Sequence, residues 1–87
     1  MIEPVHGIIA LTYKGKRLKL SSRSQEVAIA ALNDIKLTKL CEDICMTEEA
    51  VRQHLARIRT ELAHHDNGVG AKTSLVCRDG IVRFEVG

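Results

Sequence analysis

Aromatic residues are scarce in this sequence, and long apolar runs are absent from it. Tyr13 and Phe84 are the only two aromatic residues among the 87, so leucine, isoleucine, valine and alanine must fill the core. Proteins that read single-stranded DNA or RNA stack unpaired bases on aromatic rings, and this composition argues against that class. No run approaches the roughly 18 apolar residues of a membrane span, and no signal peptide opens the chain. We therefore expect no membrane partner.

Cysteines are few and odd in number. All three lie among aliphatic residues and predict reduced thiols in a cytoplasmic protein; they are Cys41, Cys45 and Cys77. A zinc site made by Cys41, Cys45 and later histidines is disfavoured, because no paired ligand spacing is present and such cysteines usually pack as small apolar residues. No nucleophile elbow, phosphate loop or paired-carboxylate pocket is recognisable. We predict no metal, no cofactor and no enzymatic activity.

Neither sign of charge dominates. Thirteen Lys and Arg residues against 11 Asp and Glu residues give a net charge of +2, weaker than the basic balance of many DNA-binding domains. The distribution is uneven, because five basic residues and no acid lie between Lys14 and Arg23. An acidic group follows in the middle of the chain and comprises Glu42, Asp43, Glu48 and Glu49. A run of charge is usually a solvated face, and that interpretation stays open beside a binding one.

The first third of the chain contains β-like runs and then a helical pattern. The two runs, Ile8 to Tyr13 and Arg17 to Leu20, are separated around Gly15 and predict an N-terminal hairpin. A helix follows in "SSRSQEVAIAAL", where Ser22 and Gln25 have the spacing of a capping box. Its predicted buried stripe consists of Val27, Ala28, Ala31 and Leu32.

The middle of the chain predicts two further helices. "IKL" favours a short bridging strand, after which Thr38 is the predicted N-cap of a brief second helix. Thr47 is the predicted N-cap of a longer third helix, and Glu48 and Glu49 in its first turn suit the helix dipole. Four aliphatic residues at spacings of four, three and four give this helix a continuous buried stripe. They are Val51, Leu55, Ile58 and Leu62.

The chain closes with a predicted hairpin. "SLVCRDGIVRFEV" alternates around Asp79 and Gly80, a strong two-residue turn signal, and it follows a glycine-containing loop. The expected fold is a single α+β domain over residues 1–87 in the order β-β-α-α-α-β-β, with the last hairpin as a wing. Helix, short turn, helix and hairpin follow one another in this way in a winged helix-turn-helix.

The third helix of such a fold lies in the major groove of DNA, whose width admits one helix. The helical period places six residues opposite the buried stripe, namely Glu49, Arg52, Gln53, Ala56, Arg57 and Thr60. Arg52 and Gln53 suit guanine and adenine edges, and Glu49 suits the amino group of cytosine. The predicted contacts to the DNA backbone are Thr47, Arg57, Arg59, Thr60 and Lys72. We therefore expect a sequence-specific transcriptional regulator that binds double-stranded DNA.

A resemblance strengthens this expectation. "LTKLCEDICMTEEAVRQHLARIRTEL" resembles the bacterial helix-turn-helix pattern, and the whole order resembles the effector domain of OmpR/PhoB-type response regulators. The family's helix pattern, R-T-V-D-V-H-I-x-R-L-R-K-x-L, is matched at Val51, His54, Leu55, Arg57, Ile58, Arg59 and Leu62. "VCRDGIVRF" is similar to the family's wing, T-V-R-G-x-G-Y-R-F, through Arg78, Arg83 and Phe84. The resemblance implies that Arg57 and Arg59 touch phosphates and that Arg78 enters the minor groove.

The chain departs from this family at several points. Asp79, Ile81 and Val82 replace two wing glycines and a tyrosine, and Glu49 replaces an arginine. Cys45 occupies a turn position usually given to glycine, which predicts a strained residue or a remodelled turn. The family's long loop between the second and third helices is missing. No phosphoacceptor receiver domain is present in the sequence, so control by phosphorylation is not expected.

A winged helix can also serve as a protein-interaction module. In that alternative the acidic group would contact another protein, and the chain would act as an adaptor or inhibitor of a nucleic-acid machine. Double-stranded DNA stays the first expected partner, with homodimeric or tandem binding left open. Salt dependence separates the two alternatives, because the release of counterions makes DNA binding weaken steeply with salt.

Overall fold

The fold is α+β, with three helices and two small antiparallel sheets. The structure, a computed structural model, describes residues 8–9, 11–66 and 72–86. Its helices are α1 (Ser22–Ala31), α2 (Leu37–Ile44) and α3 (Glu48–His65). Its strands are β1 (Ile8–Ile9), β2 (Thr12–Tyr13), β3 (Lys16–Arg17), β4 (Ile35–Lys36), β5 (Thr73–Arg78) and β6 (Ile81–Val86). The sheets have the orders β1-β2-β3 and β4-β6-β5, so residues 35–36 form the bridging strand that the sequence favoured.

The N-terminal sheet is a three-stranded meander and not the predicted single hairpin. Because β1 pairs with β2, the run from Ile8 to Tyr13 reverses direction within itself. A second reversal joins β2 to β3, where Lys14 and Gly15 both have positive φ, of 52° and 79°, as a two-residue type I′ turn requires. Residues 18–20 are not in a strand. The apolar run has no turn residue that would have predicted its own reversal.

Both early helices have N-caps earlier than predicted, by one residue in α1 and by two residues in α2. The N-cap of α1 is Ser21, whose hydroxyl accepts from the Ser24 N–H at 3.3 Å. The Gln25 amide donates to the Leu20 carbonyl at 3.0 Å, so the predicted capping box at Ser22 does not form. The two adjacent serines offer equivalent hydroxyls, and the pattern could not choose between them.

The start of α2 is fixed by the second sheet. Its N-cap is Lys36, which makes no side-chain cap, and the Leu37 N–H donates to the Gly80 carbonyl at 2.8 Å. This bond supplies an acceptor for a helix-terminal N–H group that would otherwise lack one. The predicted cap, Thr38, therefore lies inside the first turn, because a partner 43 residues away in sequence replaces the hydroxyl.

The short turn between α2 and α3 contains the predicted irregular residue. Cys45 ends α2 in the left-handed conformation, with φ 53° and ψ 51°, a place where glycine costs least. Thr47 caps α3 as predicted, since its hydroxyl accepts from the Ala50 N–H at 3.2 Å. The left-handed residue lets the chain leave α2 and start α3 within three residues, 45–47.

One continuous core joins the helices to both sheets. The α3 stripe predicted from the sequence is confirmed, because Val51, Leu55, Ile58 and Leu62 are all buried. They pack in the same cluster as Tyr13 of the N-terminal sheet and as Val27, Leu40, Leu75 and Phe84. Leu32, predicted to belong to the buried stripe of the first helix, is the C-cap residue of α1 and only half buried, and Ser24 is buried instead. Within the described ranges, no helix is both long and apolar enough to cross a membrane.

The closing hairpin forms around the predicted turn. Asp79 and Gly80 have φ of 53° and 75°, and β5 pairs with β6 from Arg78 opposite Ile81 to Thr73 opposite Val86. On its other side β6 pairs with β4, with Ile35 opposite Val82. The hairpin is therefore anchored to the segment that leads into α2, and this anchoring fixes its position next to α3.

Candidate nucleic-acid interface

The face of α3 opposite the core is exposed over its whole length. The six outward residues predicted from the helical period are exposed without exception, and they are Glu49, Arg52, Gln53, Ala56, Arg57 and Thr60. The Thr60 hydroxyl donates to the Ala56 carbonyl at 3.1 Å, and Thr47 uses its oxygen as the helix cap. The face is thus a mostly polar surface on one helix, and its six predicted residues span about three turns.

Three side chains on this face have no internal partner. Arg52, Gln53 and Arg57 make no hydrogen bond or ion pair with any other residue in the described parts of the chain. Unpaired guanidinium groups can form bidentate bonds with a planar acceptor without first breaking an existing bond. The arrangement therefore leaves two arginines and one amide free for an external ligand.

Arg59 has an internal role that the sequence did not reveal. Its Nη1 donates to the Leu75 carbonyl at 3.1 Å. Arg78 and Ile81 flank a two-residue turn, so they form a hydrogen-bonded pair of the hairpin. Hydrogen-bonded and non-hydrogen-bonded pairs alternate along an antiparallel ladder, so the pair of Leu75 and Phe84, three residues further on, is a non-hydrogen-bonded one. The backbone N–H and carbonyl of Leu75 therefore point away from β6. Arg59 thus covers part of the open edge of β5, an edge that would otherwise invite pairing with another chain.

The hairpin presents its arginines as ion pairs. Arg78 Nε lies 3.0 Å from Glu85 Oε1, and Arg83 Nη2 lies 3.0 Å from Glu85 Oε2. The pKa of Glu85 is lowered, first by the hydrogen bonds from Arg83 and then by Arg78, although some burial opposes them. Arg78 is mostly exposed, with 61% of its side-chain area accessible, and Lys72 is also exposed.

The acidic group lies together around the turn between α2 and α3. Its four carboxylates are exposed, and they belong to Glu42, Asp43, Glu48 and Glu49. Asp43 is paired with Lys39 at 3.2 Å. Glu48 and Glu49 stand in the first turn of α3, so the amino-terminal end of the polar face is negative and the remainder is positive.

A contact between α1 and α3 was only half anticipated. His54 is half buried, as expected of a residue beside the core, and its Nδ1 lies 2.8 Å from the Ser24 hydroxyl. Burial lowers the pKa of His54, and Arg57 and Arg23 add to the effect. Ser24 escaped prediction because a serine on a helical stripe carries no apolar signal. The sequence clue was its position, three residues before Val27.

The cysteines differ from one another in exposure. Cys41 and Cys77 are half buried, whereas Cys45 is exposed, so the prediction of buried thiols is wrong for Cys45. The left-handed turn directs that side chain to solvent. Burial is the largest cause of the raised pKa of Cys41. No cluster of three or more His, Cys, Asp or Glu side chains suited to a metal ion occurs within residues 11–66 and 72–86.

No protein-family model, no curated protein and no solved structure matches this chain.

Proposed function

We propose that this protein is a cytoplasmic transcriptional regulator that binds double-stranded DNA as a winged helix-turn-helix. In this proposal α3 enters the major groove and the β5–β6 hairpin acts as a wing on the minor groove. One observation carries the proposal. The exposed face of α3 presents Arg52, Gln53 and Arg57 without internal partners, in a helix that follows α2 after a three-residue turn and precedes an anchored hairpin.

Base reading is assigned to the first half of α3. A recognition helix contacts base edges mainly with its amino-terminal residues. Arg52 pairs well with guanine, Gln53 with adenine, and Glu49 accepts from the amino group of cytosine. Each good bidentate pair discriminates against the wrong base by roughly 1–3 kcal/mol. Glu49, Arg52 and Gln53 are all exposed on one face in the first half of α3, so they could contact neighbouring base pairs.

Backbone contacts are assigned to the flanks of the same surface. Thr47, Arg57, Thr60 and Lys72 are exposed and can reach phosphates without loss of an ion pair among the described residues. Arg78 would have to leave Glu85 to enter the minor groove. That release costs little, because surface ion pairs contribute about 0–1 kcal/mol and Glu85 would keep Arg83 as a partner. Arg59 would have to leave the Leu75 carbonyl, so it is the weakest of the predicted phosphate contacts.

The proposal is tested by a selection of duplexes and by two arginine variants. Random double-stranded DNA is selected for binding by mobility shift at low and moderate salt, and the recovered site is used in titrations. Arg52→Ala should cost roughly 1–3 kcal/mol on that site and relax its sequence preference. Arg57→Ala should weaken all duplexes alike and lower the salt slope by about one. If both variants fold normally and neither changes DNA binding at low salt, α3 is not the reading element.

A second function is favoured by the acidic group. Four exposed carboxylates within eight residues, Glu42 to Glu49, suit an interface with a basic protein surface, so the chain would be an adaptor or inhibitor of a nucleic-acid machine. The double variant Glu48→Gln, Glu49→Gln separates the alternatives. Stronger binding to mixed-sequence DNA favours the first function, because two carboxylates near phosphates repel them. Absence of DNA binding in both proteins at low salt favours the second.

A further inference from the structure

A cleft lies between the start of α1 and the second half of α3. It has a volume of about 360 Å³. One side is lined by Lys19, Leu20, Ser21 and Ser24, and the other by Arg57, Thr60, Glu61 and His64 of α3. The cleft is on the flank of α3 away from β5, because Arg59, which contacts β5, projects to the opposite flank. It therefore borders the proposed reading face on the side that the hairpin does not cover.

Three basic side chains without internal hydrogen bonds or ion pairs line this cleft. Lys19 Nζ, the Arg57 guanidinium and the His64 ring have neither hydrogen bond nor ion pair within the described ranges. Six of the other eleven Lys and Arg residues have such a partner, a carboxylate for Lys14, Arg23, Lys39, Arg78 and Arg83 and a carbonyl for Arg59. The two permanent cations on this cleft, Lys19 and Arg57, have the same sign of charge, and an anion between them would offset their repulsion.

The cleft also contains one carboxylate, Glu61, which reduces its positive charge without cancelling both permanent cations, Lys19 and Arg57. Glu61 Oε2 accepts from the Lys19 backbone N–H at 2.5 Å and from His65 Nε2 at 3.2 Å. The Lys19 N–H is the largest cause of the lowered pKa of Glu61, and His65 and His64 add to it against partial burial. Glu61 thus holds the backbone of Lys19 against α3, while the ammonium group at the end of that side chain stays free.

We propose that this cleft binds a phosphate group, and that the phosphate belongs to the DNA strand on the α1 side of α3. This inference deepens the proposed function and rests on it. A helix in the major groove lies between two phosphate backbones; the hairpin would approach one of them, and Lys19, Arg57 and His64 would hold the other. The N-terminal basic run then becomes part of the DNA interface through Lys19.

The test uses two probes and a matched pair of variants. Lys19→Ala and Lys16→Ala remove the same charge from the same basic run, but only Lys19 lines the cleft. Both side chains are exposed, and the Glu61 bond to residue 19 is made by the backbone, so both variants should fold. The first probe is inorganic phosphate, titrated at constant ionic strength against chloride and followed by amide chemical shifts. The second is a mixed-sequence duplex, followed by fluorescence anisotropy over a range of salt.

The expected result is selective in both measurements. Phosphate should shift the signals of residues around the cleft saturably in the wild-type protein and in Lys16→Ala, and not in Lys19→Ala. The salt slope of DNA binding should fall by about one in Lys19→Ala and stay unchanged in Lys16→Ala. If both variants lowered the salt slope equally, Lys19 would act only through the net charge of the protein, and the proposed phosphate site would be wrong.

Other outcomes also decide the proposal. If phosphate binds in the cleft but Lys19→Ala leaves DNA binding unchanged, the assignment of the phosphate to DNA is overturned. If the wild-type protein binds no duplex at low salt, the proposed function fails, and the phosphate titration alone then decides the cleft. Saturable shifts lost in Lys19→Ala would support an oxyanion site, and their absence would overturn it.

Discussion

A single hydroxyl group connects three distant parts of this fold, and its removal should be costly. Tyr13 on β2 is fully buried, and its hydroxyl donates to Asp66 Oδ1 at 2.7 Å. The same oxygen accepts from the buried Thr73 N–H at 3.1 Å. Asp66 is the C-cap residue of α3, and Thr73 begins β5. We predict that Tyr13→Phe loosens the N-terminal sheet, the end of α3 and the start of the hairpin together.

The size of the effect follows from the groups that lose a partner. Phenylalanine keeps the ring, so no cavity of consequence forms. The Thr73 N–H would stay buried without an acceptor, which costs about 1–3 kcal/mol, and a bond to a charged group contributes about 1.5–3 kcal/mol. Asp66 keeps Lys14 at 2.7 Å, which limits the second loss. We expect Tyr13→Phe to lower the free energy of unfolding by about 2–4 kcal/mol.

Urea denaturation followed by circular dichroism measures this loss, and pH gives it a signature. Burial alone would raise the pKa of Asp66, but the hydrogen bonds from Lys14 and Tyr13 outweigh it and the pKa is lowered. A carboxyl group whose pKa is lower in the folded state stabilises above its unfolded pKa and loses this contribution as pH falls through the folded value. The difference in unfolding free energy between the wild-type protein and Tyr13→Phe should therefore become smaller as the pH falls into the acid range. A loss below about half a kcal/mol at neutral pH, or a gap unchanged down to pH 3, would refute the reasoning.

Three further predictions follow from the core, the strand edge and the thiols. Leu55→Ala should destabilise the fold by about 2–4 kcal/mol in denaturation, since Leu55 is 2% exposed; no measurable loss would place the stripe in solvent. Arg59→Ala should lower stability by about 0.5–1.5 kcal/mol and leave the salt slope of DNA binding intact, whereas a slope reduced by about one would make Arg59 a phosphate contact. A thiol reagent should modify Cys45 before Cys41 and Cys77, and equal rates measured by mass spectrometry would contradict the exposure of the turn.

Local patterns were sufficient where the structure depends on local interactions. The buried stripe of α3, its Thr47 cap and the turn at Asp79 and Gly80 are each determined within a few residues, and all were predicted from the sequence. The start of α2 was not, because its first N–H is bonded to the Gly80 carbonyl. No residue near Leu37 in the sequence indicates that partner, so Thr38, the nearest residue with a suitable hydroxyl, was predicted as the N-cap.

The candidate interface was likewise predictable from the sequence only in part. Helical period alone identified the exposed positions of α3, because the direction of a side chain on a helix depends only on its place in the repeat. Period does not reveal which exposed cations already have a partner. Arg59 and Arg78 were predicted to bind DNA on the same grounds as Arg57, yet a carbonyl of β5 holds the first and a carboxylate of β6 holds the second.

The distinction between paired and unpaired cations also explains why a net charge of +2 is a poor guide to what the protein binds. Ion pairs such as those of Glu85 and Asp66 neutralise acids and bases inside the same surface, and they leave little field outside. Three of the seven Lys and Arg residues that have no hydrogen bond or ion pair among the described residues share one surface. Arg52, Arg57 and Lys19 lie on or beside the exposed face of α3, and Glu48 and Glu49 oppose them only at its first turn. A polyanion would therefore meet a surface more basic than the net charge suggests, with repulsion at one end that restricts how it can align. For the proposed binding of DNA, that asymmetry favours one defined orientation of α3 over diffuse attraction.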